Sequence, residues 1–127
     1  SIQRTSNRKL SLVCPRQLDK FSVNKDNGNG ALTYPVGMIT ADEMAYAGGV
    51  IWLSNTSYYL YNGVNNWSIS PWDFYKWSTL EFVLNSSGGF GYYYVAGSLG
   101  GRPVISLKKG TVLSSGSGTS SSPYIVE

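Results

Sequence analysis

The sequence contains no histidine. That absence removes the Ser-His-Asp and Cys-His nucleophile systems and every metal site built on imidazole. There is one cysteine, Cys14, which can make neither a bridge within the chain nor a cysteine-rich zinc site. Such a thiol either fills a core as a small apolar group or pairs with a segment outside this sequence. Charge is scarce too: Asp, Glu, Lys and Arg make up 13% of the 127 residues, about half the usual share. A disordered tail or a charge-laced helix is thereby excluded. No apolar run reaches signal-peptide or membrane-spanning length. Because the first residue is Ser1, any targeting or anchoring element, and any attachment to a membrane or pilus, is expected upstream.

What is present is apolar and aromatic. Hydrophobic residues account for 42%, enough for one core and one domain over residues 1–127. Fifteen glycines and ten tyrosines point to a turn-rich, mainly β or α+β chain. The net charge of +3 is concentrated at the amino end, where Arg4, Arg8, Lys9, Arg16 and Lys20 face only Asp19. These basic residues are not interleaved with aromatics, and no helix-turn-helix, zinc or RNA-recognition pattern follows. They read as a solvated stretch, with no specific nucleic-acid partner.

Along the chain, Leu10–Cys14 and Phe21–Val23 are each long enough for a brief strand, and Asn27-Gly28-Asn29-Gly30 signals a turn. Leu32–Ile39 is β-prone but broken by Pro35 and Gly37. Thr40-Ala41-Asp42-Glu43 is a capping box: a hydroxyl at the N-cap and a glutamate three residues on, with acidic charge at the positive end of the helix dipole. The helix continues through Ala47 and stops at Gly48-Gly49. Val50–Leu53 and Tyr58–Tyr61 read as strands. Leu80, Phe82 and Leu84 alternate with Glu81, Val83 and Asn85, a half-buried strand. Ser86-Ser87-Gly88-Gly89 turns the chain, and Phe90–Val95 returns as the hairpin partner. Val104, Ile105 and Leu107 form a buried strand after Pro103. Ser114–Ser122 reads as loop, and Tyr124-Ile125-Val126 as a last strand. One helix and seven or eight strands result, without internal repeat or linker.

Catalytic chemistry finds little support. Asp42 and Glu43 are neighbours on a helix and point about 100° apart. Asp26-Asn27-Gly28-Asn29-Gly30 resembles the start of a calcium loop but lacks the glutamate at its twelfth position. The paired glycines have no lysine after them to hold phosphate. Asp73 and Glu81 are the only carboxylates in the aromatic-rich stretch, and a glycan hydrolase using this pair is the alternative reading. No cofactor or metal is expected.

The stretch from Asn62 to Leu99 sets Trp67, Trp72, Phe74, Trp77 and Phe82 among Asn, Ser and Tyr residues. Tyr and Trp offer large contact area at low entropy cost, and Ser, Gly and Asn offer adaptable hydrogen bonds, as in antibody-type loops. In Tyr92-Tyr93-Tyr94 successive side chains must take opposite faces of a strand. Trp67, Phe74 and Phe82 suit a core as well as a surface. Trp72, Tyr75, Trp77 and Tyr93, set beside Asp73, Lys76, Ser78 and Thr79, are expected to be exposed.

Several runs stand in an order that resembles a known family: Gly30–Gly37, Ile39–Gly49, Trp67-Ser68-Ile69-Ser70-Pro71, Gly101–Lys108, Gly118-Thr119 and Ser122-Pro123-Tyr124-Ile125. Together, from about Cys14 onward, they look like the C-terminal domain of bacterial pilin-like surface proteins that serve as variable proteins of diversity-generating retroelements. The resemblance implies a C-type-lectin-like α+β fold of mostly short antiparallel strands with one or two helices. It implies a non-enzymatic, adhesin-type domain on the cell surface or an appendage, whose partner is a protein or other cell-surface ligand. It also implies that residues 64–99 are diversified by adenine-directed mutagenesis. Trp67, Ser70, Pro71, Phe74, Arg102 and Pro103 then belong to the scaffold. The exposed variable set is Asn65, Asn66, Trp72, Asp73, Tyr75 and Lys76, continued by Trp77, Ser78, Tyr92, Tyr93, Tyr94 and Ser98. Lys76 departs from the pattern, because adenine substitution in an asparagine codon does not give lysine. The Glu-Pro-Asn and Trp-Asn-Asp triplets of calcium-dependent sugar-binding lectins are absent, so that activity does not come with the fold. A structural pilin-like packing domain without external ligand is the remaining alternative.

Overall fold

The computed structural model describes Asn7, residues 9–13, Arg16, Asp26, 32–34, 36–119 and 121–127. Cys14, the Phe21–Val23 segment, the Asn27–Gly30 turn and most of the basic amino end lie outside the described residues. Among the described residues the fold is α+β, with one short helix and seven strands in three small antiparallel sheets.

The helix, α1, spans Ala41–Tyr46 and begins for a local reason. Thr40 Oγ1 accepts the Glu43 N–H at 3.1 Å, and the Glu43 carboxylate accepts the Thr40 N–H at 2.8 Å. The capping box is therefore closed in both directions. A further N–H of the first turn, on Ala41, donates to Ser70 Oγ at 2.9 Å, which ties the helix to the central sheet. The helix ends at Ala47, and Gly48 at φ +122° turns the chain away.

The central sheet is a meander of β2 (Asn66–Tyr75), β3 (Ser78–Leu84) and β4 (Phe90–Tyr94). In β3 the alternation sends Leu80, Phe82 and Leu84 to one face. There Phe82 and Leu84, with Phe90 of β4, pack on Ile39, Ala41, Met44 and Leu60 to form the core. Two smaller ribbons complete the strands: β1 (Val36–Met38) with β5 (Pro103–Ile105), of which β1 lies near β2, and β6 (Leu113–Ser115) with β7 (Ile125–Val126).

Several segments differ from the sequence reading. Leu10–Val13 is not a strand; the Ser11 N–H is taken by buried Asp42 at 3.0 Å. Val50–Leu53 makes only isolated bridges, because Trp52 at φ +61° breaks the extended run. Tyr58–Tyr61 is a turn, closed by the Tyr61 N–H on the Tyr58 carbonyl. Its neighbourhood is fixed by side chains instead: Asn55 donates to the Gly48 carbonyl at 2.7 Å and the Tyr58 hydroxyl to that of Gly88 at 2.7 Å. The strand at Val104 is not buried: among the described residues β5 pairs only with β1, and Ile105 stands in solvent. Of the expected loop Ser114–Ser122, the first two residues instead join Leu113 in a strand that pairs with the last one.

Candidate binding surface

The far end of the central sheet carries rings rather than a pocket. From the buried Phe90, contacts run to Phe82 (6.0 Å between centroids), from Phe82 to Trp72 (4.5 Å), and from Trp72 to Tyr92 (5.2 Å). Trp52 closes the cluster edge-on, 5.5 Å from Trp72 and 5.8 Å from Tyr92. The aromatic chain thus starts in the core and ends in solvent, where Trp52 is 64% exposed. Rings anchored in this way lose little freedom on contact with a ligand.

Trp72 reaches this cluster through a β-bulge. The ladder pairs Pro71 with Glu81 but Asp73 with Leu80, so Trp72 is the extra residue and turns onto the face of Phe82. It is half-buried against the core, not exposed as its polar neighbours predict. Asp73, opposite Leu80, accepts its own following N–H, that of Phe74, at 2.8 Å.

The β2–β3 hairpin tip projects beyond the core. Trp77 is 96% exposed, the highest value among the described large hydrophobic side chains, and Tyr75 stands beside it with Lys76 Nζ 5.2 Å from its ring centroid. Lys76 takes φ +55° in the two-residue connection, a position that favours glycine. Ser78 is half-buried opposite Tyr75. On the opposite face of the sheet, Tyr93 leans on half-buried Trp67 at 6.2 Å and on Tyr94 at 6.5 Å. Tyr92, Tyr93 and Tyr94 are all exposed.

Other assignments move. Asn66 is 4% exposed, and its amide donates to Asn62 Oδ1 at 3.0 Å and the Val64 carbonyl at 2.9 Å. It does not belong to an exposed set. Asn65 is exposed but occupied, its Oδ1 accepting the Ser86 N–H at 2.8 Å. Ser98 is exposed and apart from the rings described above. Of the expected scaffold, Ser70 caps the helix and Trp67 and Arg102 are half-buried, while Pro71 and Pro103 are exposed. Phe74 is 65% exposed: its register partner is Thr79, on the face away from Leu80. Trp52 was not legible as a surface residue. Its only sequence signal is an indole just ahead of Leu53 and a Ser/Asn loop.

The carboxylates do not converge. Cross-strand partners share a face, so Asp73 sits with Leu80 while Glu81 sits with Tyr93 and Pro71 on the other side. Burial raises the Glu81 pKa above its ordinary value. Burial likewise raises that of the Tyr58 hydroxyl, partly offset by the charge of Arg102. Among the described residues no group of three or more carboxylate or thiol ligands gathers for a metal, and no helix is long and apolar enough to cross a membrane. Two shallow depressions, by β1 and β5 and beneath Tyr46 and Tyr59, do not adjoin the rings.

No protein-family model matches the chain, and no curated protein or solved structure matches it.

Proposed function

We propose that this chain is a ligand-binding domain without catalytic activity, an adhesin-type variable protein of a diversity-generating retroelement with a C-type-lectin-like scaffold, displayed on a bacterial surface or appendage. The observation that carries this reading is the cluster Trp52–Trp72–Tyr92, with Tyr75 and Trp77 on the adjoining hairpin. Large rings are held in solvent on a sheet whose other end is the hydrophobic core. Exposed Trp and Tyr of this kind dominate binding energy where they occur at interfaces. The ligand is a protein or another cell-surface molecule, met mainly through ring burial, with Asp73 and Lys76 adjusting charge complementarity.

The locus supplies the test. A near-copy of codons 64–99 beside a reverse transcriptase gene, differing at adenines, is the expected finding. Differing codons should fall on exposed positions such as Asp73, Tyr75, Tyr92 and Tyr93, and spare Ser70 and Phe82. A locus with no such repeat removes the diversification, and a binding domain of fixed specificity then remains. In parallel, replacing Tyr75 and Trp77 together with alanine should leave the melting temperature nearly unchanged, because both side chains are exposed. A large loss of stability would place them in a packing role and overturn the assignment.

A further inference from the structure

The outer edge of strand β4 is covered only in part by the described residues. Its residues alternate in the direction of their backbone groups. The Val95 N–H donates to the Thr79 carbonyl, so odd-numbered residues of this stretch face β3. Phe90 faces the other way: its N–H donates to Val50 and its carbonyl accepts the Trp52 N–H, both at 3.1 Å. The short run 50–52 therefore lies along the outer edge of β4, parallel to it, as the Ile51–Phe90 bridge records. It goes no further. At Trp52 the φ of +61° carries the chain off the edge, a conformation rare for a bulky residue and found where a fold over-determines it. Tyr92 and Tyr94 come next on that edge. The Tyr94 carbonyl is used by the Gly97 N–H at 2.9 Å. The Tyr92 N–H, the Tyr92 carbonyl and the Tyr94 N–H point outward, and no group among the described residues bonds them.

We infer that this open edge, between Trp52 and Gly97, takes an extended segment of a partner polypeptide as an added strand. The inference rests on the reading of this surface as a ligand site and narrows the ligand to a chain that can present its backbone. An added strand satisfies all three open groups at once. Its alternate side chains fall to the two faces, one bearing Trp52, Trp72 and Tyr92, the other Tyr93 and Trp67. Backbone pairing supplies affinity that does not depend on the partner's sequence, and the rings supply selectivity. A second copy of this chain fits less well. The free run is three residues long, whereas a stable dimer buries on the order of 1,200 Å² or more.

The test uses short random peptides displayed on phage and selected on the whole domain. The selected peptides are then made with an N-methyl group at each position in turn. Removing an N–H that pairs with the Tyr92 carbonyl costs about tenfold in affinity. A loss should therefore appear at one position, the residue whose N–H meets the Tyr92 carbonyl, and not at its immediate neighbours. The Tyr92 and Tyr94 amides should exchange rapidly in the free domain and slow about tenfold or more when peptide binds. Failure to enrich any peptide overturns the inference, as does N-methylation tolerated at every position. Protected Tyr92 and Tyr94 amides in a concentration-dependent dimer assign the edge to a second copy and overturn it as well. If N-methylation is tolerated while Trp52→Ala and Tyr92→Ala still weaken peptide binding, the edge is refuted but the ring surface stands. A missing template repeat would leave the edge untouched.

Discussion

The Trp52 indole lies directly over Gly91: a β-carbon at that glycine would stand 2.8 Å from the ring atom Cζ3. Gly91 is buried on β4, and its missing side chain is the space the ring occupies. The other rings of the cluster, Trp72 and Tyr92, take their positions against this one.

Gly91→Ala is therefore expected to displace Trp52 rather than unfold the domain. The clashing atoms belong to the end of an exposed side chain, which can rotate away, so the stability cost stays within about 1–3 kcal/mol. The edge-on Trp52–Trp72 pair should be lost, read as a changed near-ultraviolet circular dichroism spectrum with the far-ultraviolet spectrum unchanged. An unaltered aromatic spectrum would show that the ring does not depend on the glycine.

What the sequence discloses here follows the range of the forces involved. The Thr40–Glu43 capping box and the Ser86–Gly89 turn are legible because their bonds close within a few residues. The alternation of Leu80, Phe82 and Leu84 is legible because one face of β3 meets a core. Trp52 is not, since its positive φ depends on bonds to Phe90, far along the chain. Trp72 and Phe74 exchange their expected places for a related reason. The bulge brings Trp72 inward, and the ladder leaves Phe74 on a face that no described residue covers. Asn66 is polar in a polar stretch, yet its amide finds two acceptors in the Asn62–Val64 turn and is buried there.

Asn66 should consequently behave as a structural residue. Asn66→Ala removes both of those bonds and empties the space its side chain fills against the Gly100 backbone. A loss of about 2 kcal/mol is expected in denaturant titration. A neutral substitution would return Asn66 to the set of freely variable positions.

Lys76 offers the opposite sign. Its φ of +55° costs about 1–2 kcal/mol for a residue with a β-carbon. Its contact with the Tyr75 ring, at 5.2 Å, returns about 0.5 kcal/mol at an exposed site. Strain wins, and part of the relief is offset by the greater freedom of an unfolded glycine. Lys76→Gly should raise stability by up to about 1 kcal/mol and the melting temperature by a few degrees. A lower melting temperature would mean that the ring contact outweighs the strain.

Glu81 gives the domain a pH dependence of definite sign. Its folded pKa is raised above the ordinary 4.5 by burial. The folded state therefore holds the Glu81 proton more tightly than the unfolded state does. The stability this contributes is fully present below the unfolded pKa and is lost as pH rises through the folded one. Above that window the ionised carboxylate stands between Pro71 and Tyr93 at a desolvation cost. Glu81→Gln keeps the shape and removes the charge. The variant should be more stable than the parent at neutral pH, and the fall in stability just above pH 4.5 should be smaller in it. Chemical denaturation of both proteins across that range measures the difference directly. A variant that parallels the parent at every pH would show that Glu81 titrates in the folded domain as it does in water.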